Sequence, residues 1–178
     1  MMFRKLLMTM SGALVMGAFA CSSDETPANP PPAEERPLGD GTREQANVKS
    51  GEEAVRKRKC QDCHTKNQGT MAGSTEPLTD KNDPRAKLYP PNLTPDIETG
   101  LGDPNDPDLG KRGHTDESLA VAIRTGFDRD NLQLCPQMKH DATMSDFEVY
   151  SIIKYLRSLP PVKNKVPRSV CPPLKPEE

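Results

Sequence analysis

Cys60-Gln61-Asp62-Cys63-His64 decides how the rest of this chain is read. Two thiols three positions apart can each form a thioether to one vinyl group of the same porphyrin. The adjacent imidazole is then held beneath the ring, where it can bind iron as the proximal ligand. C-x-x-C-H is therefore the attachment pattern of a c-type haem, with Cys60, Cys63 and His64 as the first candidate site residues. Two other chemistries use paired cysteines. A structural zinc site wants four Cys or His ligands, usually in two close pairs. Downstream of the motif the chain offers His114, His140, Cys135 and Cys171, with no second C-x-x-C. A thiol–disulfide oxidoreductase using Cys60 and Cys63 needs βαβ strands around the motif, and no strand run surrounds it.

The N-terminus bears on the same question, because covalent haem attachment in bacteria takes place outside the cytoplasm. Arg4 and Lys5 precede Leu6 to Ala20, an almost unbroken run of apolar or small residues. Such a run is shorter than a membrane span of about 20 residues and suits a signal peptide. Residues 1–20 are therefore read as an export signal. Ala18-Phe19-Ala20 fits the cleavage rule of a secreted protein, whereas Cys21-Ser22-Ser23 resembles the lipidated start of a bacterial lipoprotein. The chain has five cysteines. Haem takes Cys60 and Cys63, and Cys135 and Cys171 can pair in an oxidising compartment. Lipidation of Cys21 accounts for the odd one. The expected location is the periplasm, with a membrane anchor at Cys21.

Removing residues 1–20 takes away Arg4 and Lys5 but no acidic residue, so the formal charge moves from −2 to about −4. That balance argues against a nucleic-acid partner. The chain is 33% hydrophobic, with 19 Pro and no Trp. A core this poor needs help to form, and a covalently held porphyrin would supply it. Residues 21–48 carry Pro27, Pro30, Pro31, Pro32 and Pro37 among acidic and small residues, the composition of a disordered linker. The folded domain is expected over 49–167, with a tail at 168–178.

Three helices stand out. The first is expected from about Ser50 to Cys60, capped by Ser50-x-x-Glu53, with Arg56, Lys57, Arg58 and Lys59 at its C-terminal end. Those cations suit either the helix dipole and a solvated face or a docking partner. The second runs from about Asp116 to Thr125, with Thr115 as cap and Gly126 as stop. The third runs from about Asp146 to Leu159, with Ser145-x-x-Glu148 as a capping box and Val149, Ile152, Ile153, Leu156 and Leu159 at helical spacing. Residues 65–114 are rich in Gly and Pro. Long ordered loops are unusual in a small domain unless they wrap a cofactor. The expected fold is all-α, with three main helices and long loops around one haem.

An electron-transfer haem takes a sixth ligand, typically Met or His. Met144 precedes cap Ser145 and can pack on Val149 as a hydrophobic staple. Met71 follows the haem motif closely for a residue that must reach the opposite face. Met138, in Cys135-Pro136-Gln137-Met138 between the second and third helices, is the favoured ligand; Met144, Met71 and His140 are the alternatives. His114 and His140 otherwise read as surface histidines.

With these pieces in place the chain resembles bacterial class I cytochrome c domains, of the kind found in or beside cytochrome subunits of periplasmic dehydrogenases. The resemblance rests on several segments in order. They are Cys60 to His64; Pro91-Asn92-Leu93-Thr94-Pro95-Asp96 with Thr99-Gly100-Leu101-Gly102; Thr115-Asp116-Glu117-Ser118 leading to Ala122-Ile123-Arg124-Thr125-Gly126; Met138; and Ser145-Asp146 leading to Ile152 through Val162. It covers roughly residues 50–167. It implies a small all-α fold, iron held between His64 and Met138, and one-electron carriage rather than enzyme activity. It also implies that a carbonyl of Pro90-Pro91, with Pro91 the named candidate, accepts a hydrogen bond from the His64 ring, and that Arg124 faces a haem propionate. The subgroup often has Trp where His114 stands. Here an insertion, Asp103 to Arg112, precedes that position, and Lys139 stands where a proline usually follows the methionine.

The function expected is a monohaem electron carrier serving periplasmic or membrane redox proteins such as dehydrogenases, oxidases or reductases. The competing readings are a periplasmic thiol–disulfide oxidoreductase and a haem-based small-ligand sensor with an open sixth site.

Overall fold

Each longer helix starts where a side chain caps it. A computed structural model describes residues 41–171, apart from 67, 68, 82, 107 and 110–112. Helix α1 spans Val48–Lys57, and the Asn47 side chain accepts the Ser50 amide at 2.9 Å. It therefore begins two residues ahead of the expected Ser50. A β-region asparagine is a better N-cap than a serine already inside the turn, and Ser50 is buried. Helix α2 is the single turn Gln61–His64. Helix α3 spans Asp116–Thr125, with Thr115 accepting from Ser118 and Gly126 closing it at φ +74°. Helix α4 spans Asp146–Ser158, capped by Ser145, which accepts the Glu148 amide. The reciprocal half of that capping box is missing, because Arg58 takes the Glu148 carboxylate instead at 2.6 and 2.9 Å.

The described chain is mostly helical: four helices and one small sheet, in which β1 (Leu78–Thr79) pairs antiparallel with β2 (Lys87–Leu88). The sheet goes beyond the expected all-helical reading; two-residue strands leave no alternation to read.

Helix α1 packs on α4, and α3 lies on α4 as well. At the α1–α4 crossing a Cβ on Gly51 would stand 1.9 Å from the Ser151 carbonyl oxygen, so only glycine lets the two backbones approach this closely. The core gathers Ala54 and Val55 of α1, Leu119 and Ala120 of α3, and Val149, Ile152, Ile153, Tyr155 and Leu156 of α4, with Met71, Leu101 and Met144 from the loops.

Packing begins ahead of the boundary expected at residue 49. Ala46 is buried, and its carbonyl accepts from the Lys154 ammonium at 2.7 Å. Arg43 pairs with Glu117 at 2.6 Å and lies 4.1 Å from the Tyr150 ring centroid. At the other end Val170 pairs with Lys87 and Cys171 is disulfide-bonded to Cys135, with Cα atoms 5.6 Å apart. The start of the expected tail is thus part of the fold. The export signal, Cys21, the linker up to residue 40 and residues 172–178 lie outside the described residues. Among the described residues no helix is long and apolar enough to cross a membrane.

Candidate functional site

Helix α1 ends in a Schellman turn that delivers the cysteine motif. Lys59 takes the left-handed conformation (φ +60°). Its amide donates to Arg56, and the Cys60 amide donates to Val55, the paired bonds that define this cap. The position usually belongs to glycine. The reversal starts α2 at once, with Cys60 at its N-cap and Cys63-His64 in its one turn. Cys60 is half-buried, Cys63 is exposed, and both are free thiols. Burial pushes the Cys60 thiol up from its ordinary pKa.

His64 is only 6% exposed. Its Nδ1 lies 3.0 Å from the Pro91 carbonyl, to which the ring N–H donates. Burial pushes the imidazole pKa down, with the Pro91 carbonyl acting in the opposite direction. A neutral ring with Nδ1–H bonded to a carbonyl keeps its lone pair on Nε2, the tautomer that binds metal. Nothing bonds Nε2 among the described residues.

The segments that hold Pro91 there are loops, ordered by side-chain hydrogen bonds. The Gly73 amide donates to the His64 carbonyl at 2.9 Å, and the Ser74 amide to Pro90 at 3.0 Å. A Cβ on Gly73 would stand 2.5 Å from the Pro90 oxygen, so glycine allows residues 71–74 and 90–92 to lie against each other. Buried Asn92 binds the Thr94 amide, the Thr99 hydroxyl and the Val162 carbonyl. Asn164 donates to the Ala72 carbonyl at 2.7 Å. The chain leaving α4 thereby locks both loops that frame His64.

The three methionines of the described chain have different surroundings. Met71 and Met144 are 1% and 5% exposed and belong to the core. Met138 is half-buried and outside it; its amide closes the turn by donating to Cys135 at 2.9 Å. His140 is exposed, its ring lying against Gly126. Arg124 donates to the Met144 carbonyl at 2.9 Å and pairs with Asp146 at 2.6 Å, tying the start of α4 to α3.

His114 is not the surface residue expected. It is half-buried, and its Nδ1 is covered and without a hydrogen-bond partner, the one such side-chain atom among the described residues. Burial, then the cations Arg129 and Arg157, push its pKa down. Arg157 fixes the backbone here by bonding the Gly102 and His114 carbonyls and Asp116. The one hint in the sequence was the resemblance drawn above, which sets His114 at a position that often carries Trp. The basic run also resolves: Arg58 is bound to Glu148 and Asp141, so it is neither a solvated charge nor a free docking group.

The donor set suits covalent porphyrin attachment: two unpaired thiols and, beside the second, a buried neutral imidazole with one nitrogen oriented and the other open. Among the described residues no three His, Cys, Asp or Glu side chains cluster as a metal cage, so a zinc site finds no support there.

No protein-family model matches the chain. Over 134 residues it is 28% identical to one of the subunits of nicotinate dehydrogenase from Pseudomonas putida, a match covering 74% of this chain and 10% of that protein. The chain thus spans about a tenth of the length of the curated relative it matches. The likeness is distant, to one stretch of a dehydrogenase subunit.

Proposed function

We propose that this chain is a monohaem c-type cytochrome with a cytochrome c-like fold, carrying single electrons between periplasmic or membrane redox partners. The observation that carries the reading is His64, buried beside two free thiols, its Nδ1–H on the Pro91 carbonyl and its Nε2 unpartnered. Cys60 and Cys63 would hold the haem by thioethers, and His64 Nε2 would be one iron ligand. Met138 would be the other, because Met71 and Met144 are consumed by packing. Bound haem supplies an iron that alternates between ferric and ferrous. The protein's part is to fix the imidazole through Pro91, to exclude water with the loops at 71–74 and 90–94, and to present a soft thioether that favours ferrous iron and raises the potential. A propionate brought to His114 would give Nδ1 the partner it lacks. The distant similarity to a dehydrogenase subunit supports a dehydrogenase as the redox partner, and Cys21 supports lipid anchoring.

The test is expression in a bacterium with haem-attachment machinery. The expected product is pink, keeps its haem on a denaturing gel, and gives a low-spin spectrum with the weak far-red band of a sulfur–ferric bond. Met138→Ala should erase that band and Met144→Ala should leave it. A colourless, fully processed protein with two titratable thiols at Cys60 and Cys63 would overturn the reading.

A further inference from the structure

The turn that carries Met138 is held to the small sheet at two points. Cys135, which opens the turn and accepts the Met138 amide, is bonded to Cys171. Next to Cys171, Val170 exchanges two backbone hydrogen bonds with Lys87 of β2, both 2.9 Å. Ser169 accepts from the Tyr89 amide at 2.8 Å and donates to the Tyr89 carbonyl at 3.1 Å. The second point is Gln137, which donates to Asp80 just after β1. Beyond these, burial does little for the turn. Pro136, Gln137 and Lys139 are exposed, and Cys135 and Met138 are only half-buried. An exposed side-chain hydrogen bond competes with water and restrains weakly, so the covalent bond is the dominant restraint.

We propose that Cys135–Cys171 is a redox-operated clamp on the iron-binding turn, and that a dithiol reductant opening it frees Met138 from its place opposite His64. The inference rests on the reading of Met138 as the second iron ligand. The disulfide takes up two electrons and two protons and becomes two thiols, while the reductant's dithiol becomes a disulfide. Both cysteines are half-buried, within reach of a small reductant. In the clamped state the turn keeps the thioether in place; with the clamp open, the loop between Gly126 and Asp141 loses its tie to β2.

The experiment uses the full chain with haem attached, its iron reduced by ascorbate, which leaves disulfides intact. Carbon monoxide uptake is followed before and after incubation with dithiothreitol, and in Cys135→Ser/Cys171→Ser. The dithiol form and the double variant should take up carbon monoxide at least tenfold faster than the clamped form. On reoxidation with ferricyanide the far-red band should be weakened in the double variant. Amide exchange at Met138 and Val170 should quicken in parallel. Slow uptake and an intact band in both unclamped forms would overturn the clamp. If the double variant does not fold, the dithiothreitol arm alone decides. Met138→Ala separates the two ideas: if it leaves uptake slow, the ligand reading itself is wrong and the clamp falls with it.

Discussion

Gly73 (φ +79°) holds a conformation and a clearance that only glycine meets, and the orientation of His64 depends on it. A left-handed backbone costs an alanine about 1–2 kcal/mol, and overlap with the Pro90–Asn92 backbone adds roughly another 1–3. Gly69 (φ +112°) has open space around it, so there only the conformational cost applies. Gly73→Ala should therefore lower the denaturation midpoint clearly more than Gly69→Ala and perturb the His64 ring resonances; equal effects would show that the close approach is immaterial. Asp96 acts on the same loops. Its carboxylate accepts from the Thr99 hydroxyl at 2.6 Å and amide at 2.7 Å, and Thr99 accepts from Asn92 and Asn164. The bond from Thr99 holds the Asp96 pKa below its ordinary 3.8. The unfolded chain then binds the proton first as pH falls. The stability from Asp96 is complete above about pH 4 and is lost as pH drops through the folded value. In Asp96→Asn this loss should disappear, leaving a shallower fall in urea midpoint as pH drops below about 4. An unchanged slope would assign the acid sensitivity to other carboxylates.

At the scale of elements, the α1–α4 crossing fixes in the core the helix whose C-terminal turn leads into the cysteine motif. Alanine is favoured over glycine in a helix by about 1 kcal/mol, yet a Cβ at Gly51 meets Ser151 carbonyl oxygen at 1.9 Å and Tyr155 Cβ at 2.8 Å. Overpacking wins. Gly51→Ala should destabilise by about 2 kcal/mol or more, whereas Glu53→Ala on the exposed face should change little; chemical denaturation of both decides it. Helices α3 and α4 were legible because cap, apolar stripe and stop lie within one short segment. The start of α1 was not, because Ser50-x-x-Glu53 imitates a capping box one turn inside the helix. The sheet and the engaged tail were not legible either. Lys87 meets Val170 across more than eighty positions, and no local pattern records a pairing that distant. In the site, Cys60, Cys63 and His64 announce themselves by spacing. The burial of His114 does not, since side chains distant in sequence shape its surroundings, such as Arg157 of α4, which bonds the His114 carbonyl from 43 positions away.

For the whole molecule, the decisive quantity is how little apolar material closes the core. It holds no tryptophan, and Phe147 is its largest fully buried side chain. Long stretches of 65–114 are ordered by single polar bonds such as Asn92 to Val162 and Asn164 to Ala72. Each of these contributes about 1 kcal/mol net, set against about 1–2 kcal/mol of backbone entropy for every residue fixed. Helices α1 and α4 pack through Gly51 and Ser151, whereas the loops around His64 are anchored by a few apolar side chains such as Met71, Ala72 and Leu101 and by these polar bonds. On the proposed haem reading, the porphyrin would add the large apolar surface this core lacks, and folding and attachment are expected to be one event. Cys60→Ser with Cys63→Ser should leave a chain with reduced helix content, broad non-cooperative unfolding and rapid proteolysis within 65–114, while the attached form unfolds in one sharp transition. Circular dichroism and limited proteolysis of the two forms check this. Native helix content and a protected 65–114 segment in the double variant would show that the polypeptide alone carries the fold.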